Sequence, residues 1–216
     1  MHAQPWAWTA LFLLGAYHGI NPAMGWLFAV ALGLQKQSDR AVWQSLLPIA
    51  VGHLLSITLV IAVAVIAGAV LPIKVMRISV VVLLIGFGVY RIVSKSHPRF
   101  GGMQVGFRDL TIWSFLMACA HGAGLMLLPV LLGMSGGGIS GDDHANHAAA
   151  FPGVTLQLLA VAIHTFGYLL LTGTIAWVVY KKLGLSVLRR AWVNLDFIWA
   201  TALIATAGLT LVFSWF

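Results

Sequence analysis

Four histidines fall in the middle of four separate hydrophobic segments: His18, His53, His121 and His164. Each stands roughly 10 residues into its segment, which at about 1.5 Å of rise per residue is the depth of a bilayer midplane. An ionisable side chain at that depth is costly and marks a functional site by default. Imidazole is the commonest metal ligand and titrates near neutral pH. A cluster of such rings suits Ni, Co, Zn, Cu or Fe. The bland alternative for each histidine alone is an interhelical hydrogen bond with no ligand.

The sharpest local motif is His18-Gly19-Ile20-Asn21-Pro22. Pro22 has no N–H to give to the carbonyl of His18, so that carbonyl is expected to be freed beside the imidazole, with Asn21 adding a donor and an acceptor. An interrupted helix at midplane depth is how transporters build ion sites, and a plain proline kink is the alternative. Met117 lies one turn before His121 and shares its face, so a thioether could join the imidazole, though methionines also simply fill gaps. Gly52 beside His53, and Ala160 and Gly167 around His164, would let neighbouring helices approach and turn both rings inward. Gly15 and Gly19 read as a packing face, and Gly86 and Gly88 as packing residues. A Gly-rich loop carries Asp142, Asp143, His144 and His147, a set able to hold a divalent cation loosely. Asp196 is expected to pair with Arg189 or Arg190. There is no phosphate loop, no His-Glu-x-x-His helix and no serine nucleophile motif.

These residues need elements to carry them. Of the 216 residues, 61% are hydrophobic and only 8% charged, and there is no Glu. A soluble domain carries about 25% charged residues, so the chain reads as an all-α polytopic membrane protein. The net charge of +7 is then a matter of loop anchors and not of nucleic acid. The one cysteine, Cys119, has no partner for a disulfide within the chain. The first residues lack the basic region of a signal peptide, so the first apolar segment is expected to be retained.

Six stretches are long enough to span a bilayer, at about 8–34, 42–71, 76–94, 111–133, 153–180 and 191–214. The loops after the first, third and fifth hold 10 of the 12 Lys and Arg residues, leaving only Lys74 and Arg77 on the other side. That bias places those loops inside and both termini, with the loop 134–152, outside. A bacterial inner membrane with periplasmic termini is the expected setting, and Trp6, Trp8 and Trp215 fall at the outer interface.

A short internal repeat relates Tyr17-His18-Gly19 to Ala120-His121-Gly122, and Ile49-Ala50-Val51-Gly52-His53 to Leu159 through His164. Repeat one covers about 8–94 and repeat two about 111–214. Three helices per half is an odd number, so the halves would enter the membrane from opposite sides, an inverted repeat with its site at the midplane.

In size, in six helices as two inverted triplets and in the His-bearing loop, the chain resembles the lysine-exporter/nickel–cobalt-exporter superfamily. Members that carry nickel or cobalt put a His followed by an Asp-His pair in an early helix; here the stretch is His18-Gly19-Ile20-Asn21-Pro22-Ala23-Met24. The resemblance implies transport. The expected function is a proton-coupled transition-metal transporter, leaning toward export, with the four histidines as ligands and Asn21, Met117, Asp142, Asp143, His144 and His147 as secondary contacts. The expected partners are the lipid bilayer, the metal ion and a second copy of the chain. A membrane metalloenzyme, a haem or other redox protein, and a non-catalytic subunit or assembly factor of a membrane complex are the other readings of the same residues.

Overall fold

The computed structural model describes residues 5–69, 71–93, 106–134 and 152–183, with 201, 204, 205, 207 and 208 from the last stretch. These residues form seven α-helices and no strand: α1 (Pro5–Ile20), α2 (Trp26–Lys36), α3 (Asp39–Gly68), α4 (Ile73–Val93), α5 (Phe107–Ala120), α6 (Ala123–Met134) and α7 (Val154–Val178). A single 3-10 turn, Pro22–Met24, separates α1 from α2, and a π-helical turn, Val179–Leu183, extends α7. The sixth predicted stretch, 191–214, lies outside the described residues apart from those five helical positions, and Asp196 and the loop with Asp142, Asp143, His144 and His147 lie outside them altogether.

Two predicted spans prove to be broken. The stretch 8–34 divides at Asn21–Gly25, where Pro22 cannot donate to the ladder and Gly25 adopts φ 144°, a conformation closed to other residues. The stretch 111–133 divides at His121–Gly122, and α5 and α6 meet at a bend of 57°. No proline marks that second break; Gly122, at φ 66°, makes it.

Helices α3 and α7 are each long and apolar enough to cross a membrane, and α5 with α6 makes a third candidate if the bent pair is one span. Among the described residues, the spans recognisable by length and composition are therefore two to three. Their outer surfaces are apolar: Leu47, Leu55 and Val63 on α3, Val82 and Val89 on α4, and Leu158, Phe166 and Leu170 on α7 all stand exposed. So large an apolar surface is unsuited to water and suited to lipid.

Helix α1 packs most extensively against α7, and α3 against α5. Small residues bring the backbones together. A Cβ on Gly15 would overlap the carbonyl oxygen of His164, one on Gly167 that of Phe12, and one on Gly52 that of Thr111. Gly19 meets Tyr168 in the same way, so the Gly15–Gly19 face is a packing face as expected. Gly86 is different: a Cβ there would meet nothing within 4 Å, so its expected packing role is not realised. A second apolar cluster (Trp26, Ala29, Val30, Val42, Ala176 and Val179) ties α2 to the start of α3 and the end of α7. The exposed pair Asp39 and Lys181 closes over that end.

Candidate functional site

All four histidines are buried. His18 comes from the last turn of α1, His53 from the middle of α3, and His164 from the middle of α7. Their rings form one cluster. Centroids are 5.2 Å apart for His18 and His164, 5.6 Å for His53 and His164, and 6.0 Å for His18 and His53. His121 occupies the break after α5 and lies within electrostatic reach of His18.

Three of the four rings are anchored alike. Nδ1 of His18 bonds the carbonyl of Leu14 at 2.8 Å, and Nδ1 of His121 bonds the carbonyl of Met117 at 2.8 Å, each one turn back in its own helix. Nδ1 of His164 bonds the carbonyl of Leu11 on α1 at 3.2 Å. A carbonyl only accepts, so each of these nitrogens carries the proton, and in each neutral ring Nε2 is left with the lone pair. Metal-binding histidines are held this way: the second nitrogen donates to a backbone carbonyl or carboxylate, which fixes the tautomer and the direction of the ligating nitrogen. Nε2 of His164 is buried without a hydrogen-bond partner among the described residues.

His53 is the exception. Neither of its ring nitrogens has a hydrogen-bond partner among the described residues. Its face instead stacks on Tyr168, with centroids 3.9 Å apart and planes 17° apart. It also runs nearly parallel to His164, at 7°.

The break between α1 and α2 borders this cluster, and its polar groups are largely accounted for. Asn21 N–H reaches the carbonyl of His18 at 3.3 Å, partly replacing the bond that Pro22 cannot make. The indole of Trp26 donates to the carbonyl of Ile20 at 2.9 Å, and the indole of Trp113 on α5 to that of Ala23 at 3.1 Å. The Tyr168 hydroxyl donates to the carbonyl of Met24. Three aromatic donors thus satisfy three carbonyls that the broken helix releases into an apolar interior, where an unmet carbonyl is expensive. Asn21 spends its Oδ1 on the N–H of Ala23 at 2.9 Å and keeps Nδ2, a donor, without a partner among the described residues. As placed, it offers a hydrogen bond to a ligand more readily than a coordinating oxygen. Met117 is buried, and its carbonyl accepts from both the ring and the backbone N–H of His121.

Sequence reasoning missed Tyr168, Trp26 and Trp113. Tyr168 had a signal: it stands four residues after His164 and so shares its face. The two tryptophans had none, because an indole reaching a distant carbonyl leaves no pattern along the chain.

The ring spacings have the scale of a coordination sphere. With metal–nitrogen bonds of about 2.0–2.1 Å, two imidazoles on one tetrahedral ion hold their centroids about 5 Å apart. Even so, among the described residues no three His, Cys, Asp or Glu side chains are placed so as to share one ion. Comparisons of this chain with known protein families, with curated proteins and with solved structures find no match.

Proposed function

We propose that this chain is an integral membrane transporter for a divalent transition metal, with His18, His53, His121 and His164 as its midplane site. The observation that carries the reading is the common anchoring of His18, His121 and His164: in each, Nδ1 donates to a backbone carbonyl, so Nε2 is the nitrogen that carries the lone pair.

The six-span inverted repeat is part of the proposal. His18 and His121 both stand where a helix breaks, and both bond the carbonyl four residues back at the same distance. The two dominant packings, α1 with α7 and α3 with α5, exchange under the operation that relates α1 to α5 and α3 to α7. Sites in such folds lie where the repeats meet. The bias of Lys and Arg orients the closed end of α3 and α7, with Asp39 and Lys181, to the inside of a bacterial inner membrane. Neutral imidazole binds metal and imidazolium does not, so proton entry would release the ion and give metal/proton exchange. Nickel, cobalt, zinc, copper and iron all accept such ligands.

The test is the metal content of the purified protein, together with Co²⁺, Ni²⁺ and Zn²⁺ flux into liposomes, for the wild type and for His18→Ala and His164→Ala. Metal bound and moved by the wild type and lost in both variants supports the reading. Wild-type protein that neither binds nor moves any of these ions overturns it.

A further inference from the structure

The Lys, Arg, Asp and Glu residues of α2, α3 and α7 with its π-helical turn are Lys36, Asp39, Arg40, Lys181 and Lys182. All stand exposed at the end where α2 finishes, α3 starts and α7 finishes. Four cations meet one carboxylate there, and Asp39 is already engaged with Lys181. Residues 184–190, which follow the turn, add Arg189 and Arg190 and no acid. This end is short of negative charge, and the adjoining chain does not supply it. Below the charges, two stripes run toward the middle of the helices. On α3, Arg40, Trp43 and Leu47 share one face; on α7, Lys181, Trp177 and Leu170 do the same. The apolar members are exposed, Trp43 by 50% and Trp177 by 40%. The stripes are neighbours: the Trp43 ring lies over Gly173, one turn from Trp177, and the Asp39–Lys181 pair joins them at the end. By helical rise, each indole lies about 4–6 Å deeper than the basic residue of its own stripe.

We propose that this end of α3 and α7 holds an anionic phospholipid, with its phosphate on Arg40 and Lys181 and its acyl chains along the face between Trp43 and Trp177. The inference rests on these helices crossing a bilayer and is independent of the metal reading. Charge complementarity chooses the occupant. Lys36 and Lys182 add to the field of the two contacting cations, and basic residues at the end of a membrane helix attract anionic lipid. Lys and Arg lay their stems along apolar surface and keep their charge at the headgroups. Indoles one turn deeper suit the headgroup boundary. The face then continues through exposed Leu47 and Leu170, which fits acyl chains and not a soluble anion. A second copy of the chain, docked by the same face, would bring the same excess of cations against this one and be repelled.

The experiment is native mass spectrometry of the full chain in detergent, titrated with phosphatidylglycerol and with phosphatidylcholine of the same acyl chains. Each basic residue beside an anionic lipid contributes roughly fivefold to its binding. Wild-type protein is expected to hold phosphatidylglycerol at least about tenfold more tightly than phosphatidylcholine. Arg40→Gln with Lys181→Gln is expected to weaken phosphatidylglycerol at least about tenfold and to leave phosphatidylcholine within about twofold. Asp39→Asn removes the one carboxylate that competes for Lys181, so it is expected to tighten phosphatidylglycerol by about fivefold. Lys74→Gln with Arg77→Gln takes the same charge from the start of α4, at the other end of the helices, and is expected to keep phosphatidylglycerol binding within about twofold of wild type. Inorganic phosphate is added as a competitor and is expected to displace no lipid. Equal binding of the two lipids by the wild type would overturn the proposal. Equal losses in the two double variants would also overturn it, because net charge and not this site would then govern binding. Displacement of phosphatidylglycerol by inorganic phosphate would assign the cations to a soluble anion instead.

Discussion

His164 reaches from α7 across to α1 and donates from Nδ1 to the carbonyl of Leu11, 153 positions away in the chain. The same carbonyl-anchored geometry occurs within single helices at His18 and His121, so the tautomer of the cluster is set both locally and across the interface where α1 meets α7. Substitution of His164 removes a proposed ligand and a helix-to-helix bond together. His164→Ala is expected to lower Co²⁺ affinity by at least about tenfold and to lower the apparent melting temperature in detergent. Met117→Leu, which leaves the backbone carbonyl that anchors His121 in place, is expected to change Co²⁺ affinity by less than about threefold. Dialysis and thermal unfolding on the two variants check both statements, and equal losses would count against the anchoring argument.

Metal binding should weaken as pH falls. An imidazole ligates through a lone pair that protonation removes, so acid competes with the ion for the same nitrogen. Co²⁺ affinity is expected to hold near neutral pH, where these buried rings are already neutral, and to decline only as acid protonates them. Dialysis from neutral pH into acid measures this. A profile that stays flat as far into acid as the protein remains folded would count against histidine ligands.

The close approach of α1 and α7 makes a sharp steric prediction. Gly15→Ala sets a methyl against the carbonyl of His164 and forces the helices apart, at a cost of about 1–3 kcal/mol. Gly86→Ala on α4 adds its methyl to open space and is expected to be neutral or stabilising by up to about 1 kcal/mol. Unfolding of the two variants under the same conditions supplies the comparison.

Removing one aromatic cap has a definite expected cost. Trp113→Phe keeps most of the ring volume and leaves the carbonyl of Ala23 without its indole donor, which should destabilise the protein by about 1–3 kcal/mol. By contrast, Asp39→Asn breaks an ion pair whose side chains are 43% and 48% exposed, and its expected effect is below about 1 kcal/mol.

The parts legible in the sequence are those carried by local pattern. The helical class, the interruption at Pro22 and the packing role of Gly15 and Gly19 all follow from residue type and spacing. The break at His121–Gly122 was not legible, because a single glycine turning to φ 66° looks like any other glycine in an apolar run. Nor was it legible that His53 alone lacks an anchor. That depends on helix rotation, which hydropathy does not fix. The meeting of His18, His53 and His164 depends on three helices approaching at once, and sequence spacing constrains each of them separately.

The caps of the first break come from far along the chain. The carbonyl of Ala23 takes its donor from a residue 90 positions later, and that of Met24 from one 144 positions later. During synthesis, the turn Pro22–Met24 is made before either Trp113 or Tyr168. Until those donors arrive the two carbonyls lack the partners that meet them in the fold, and burying each without one costs about 1–3 kcal/mol. The first element to be translated is thus among the last to be finished, and a fragment ending before α5 lacks the groups needed to complete it.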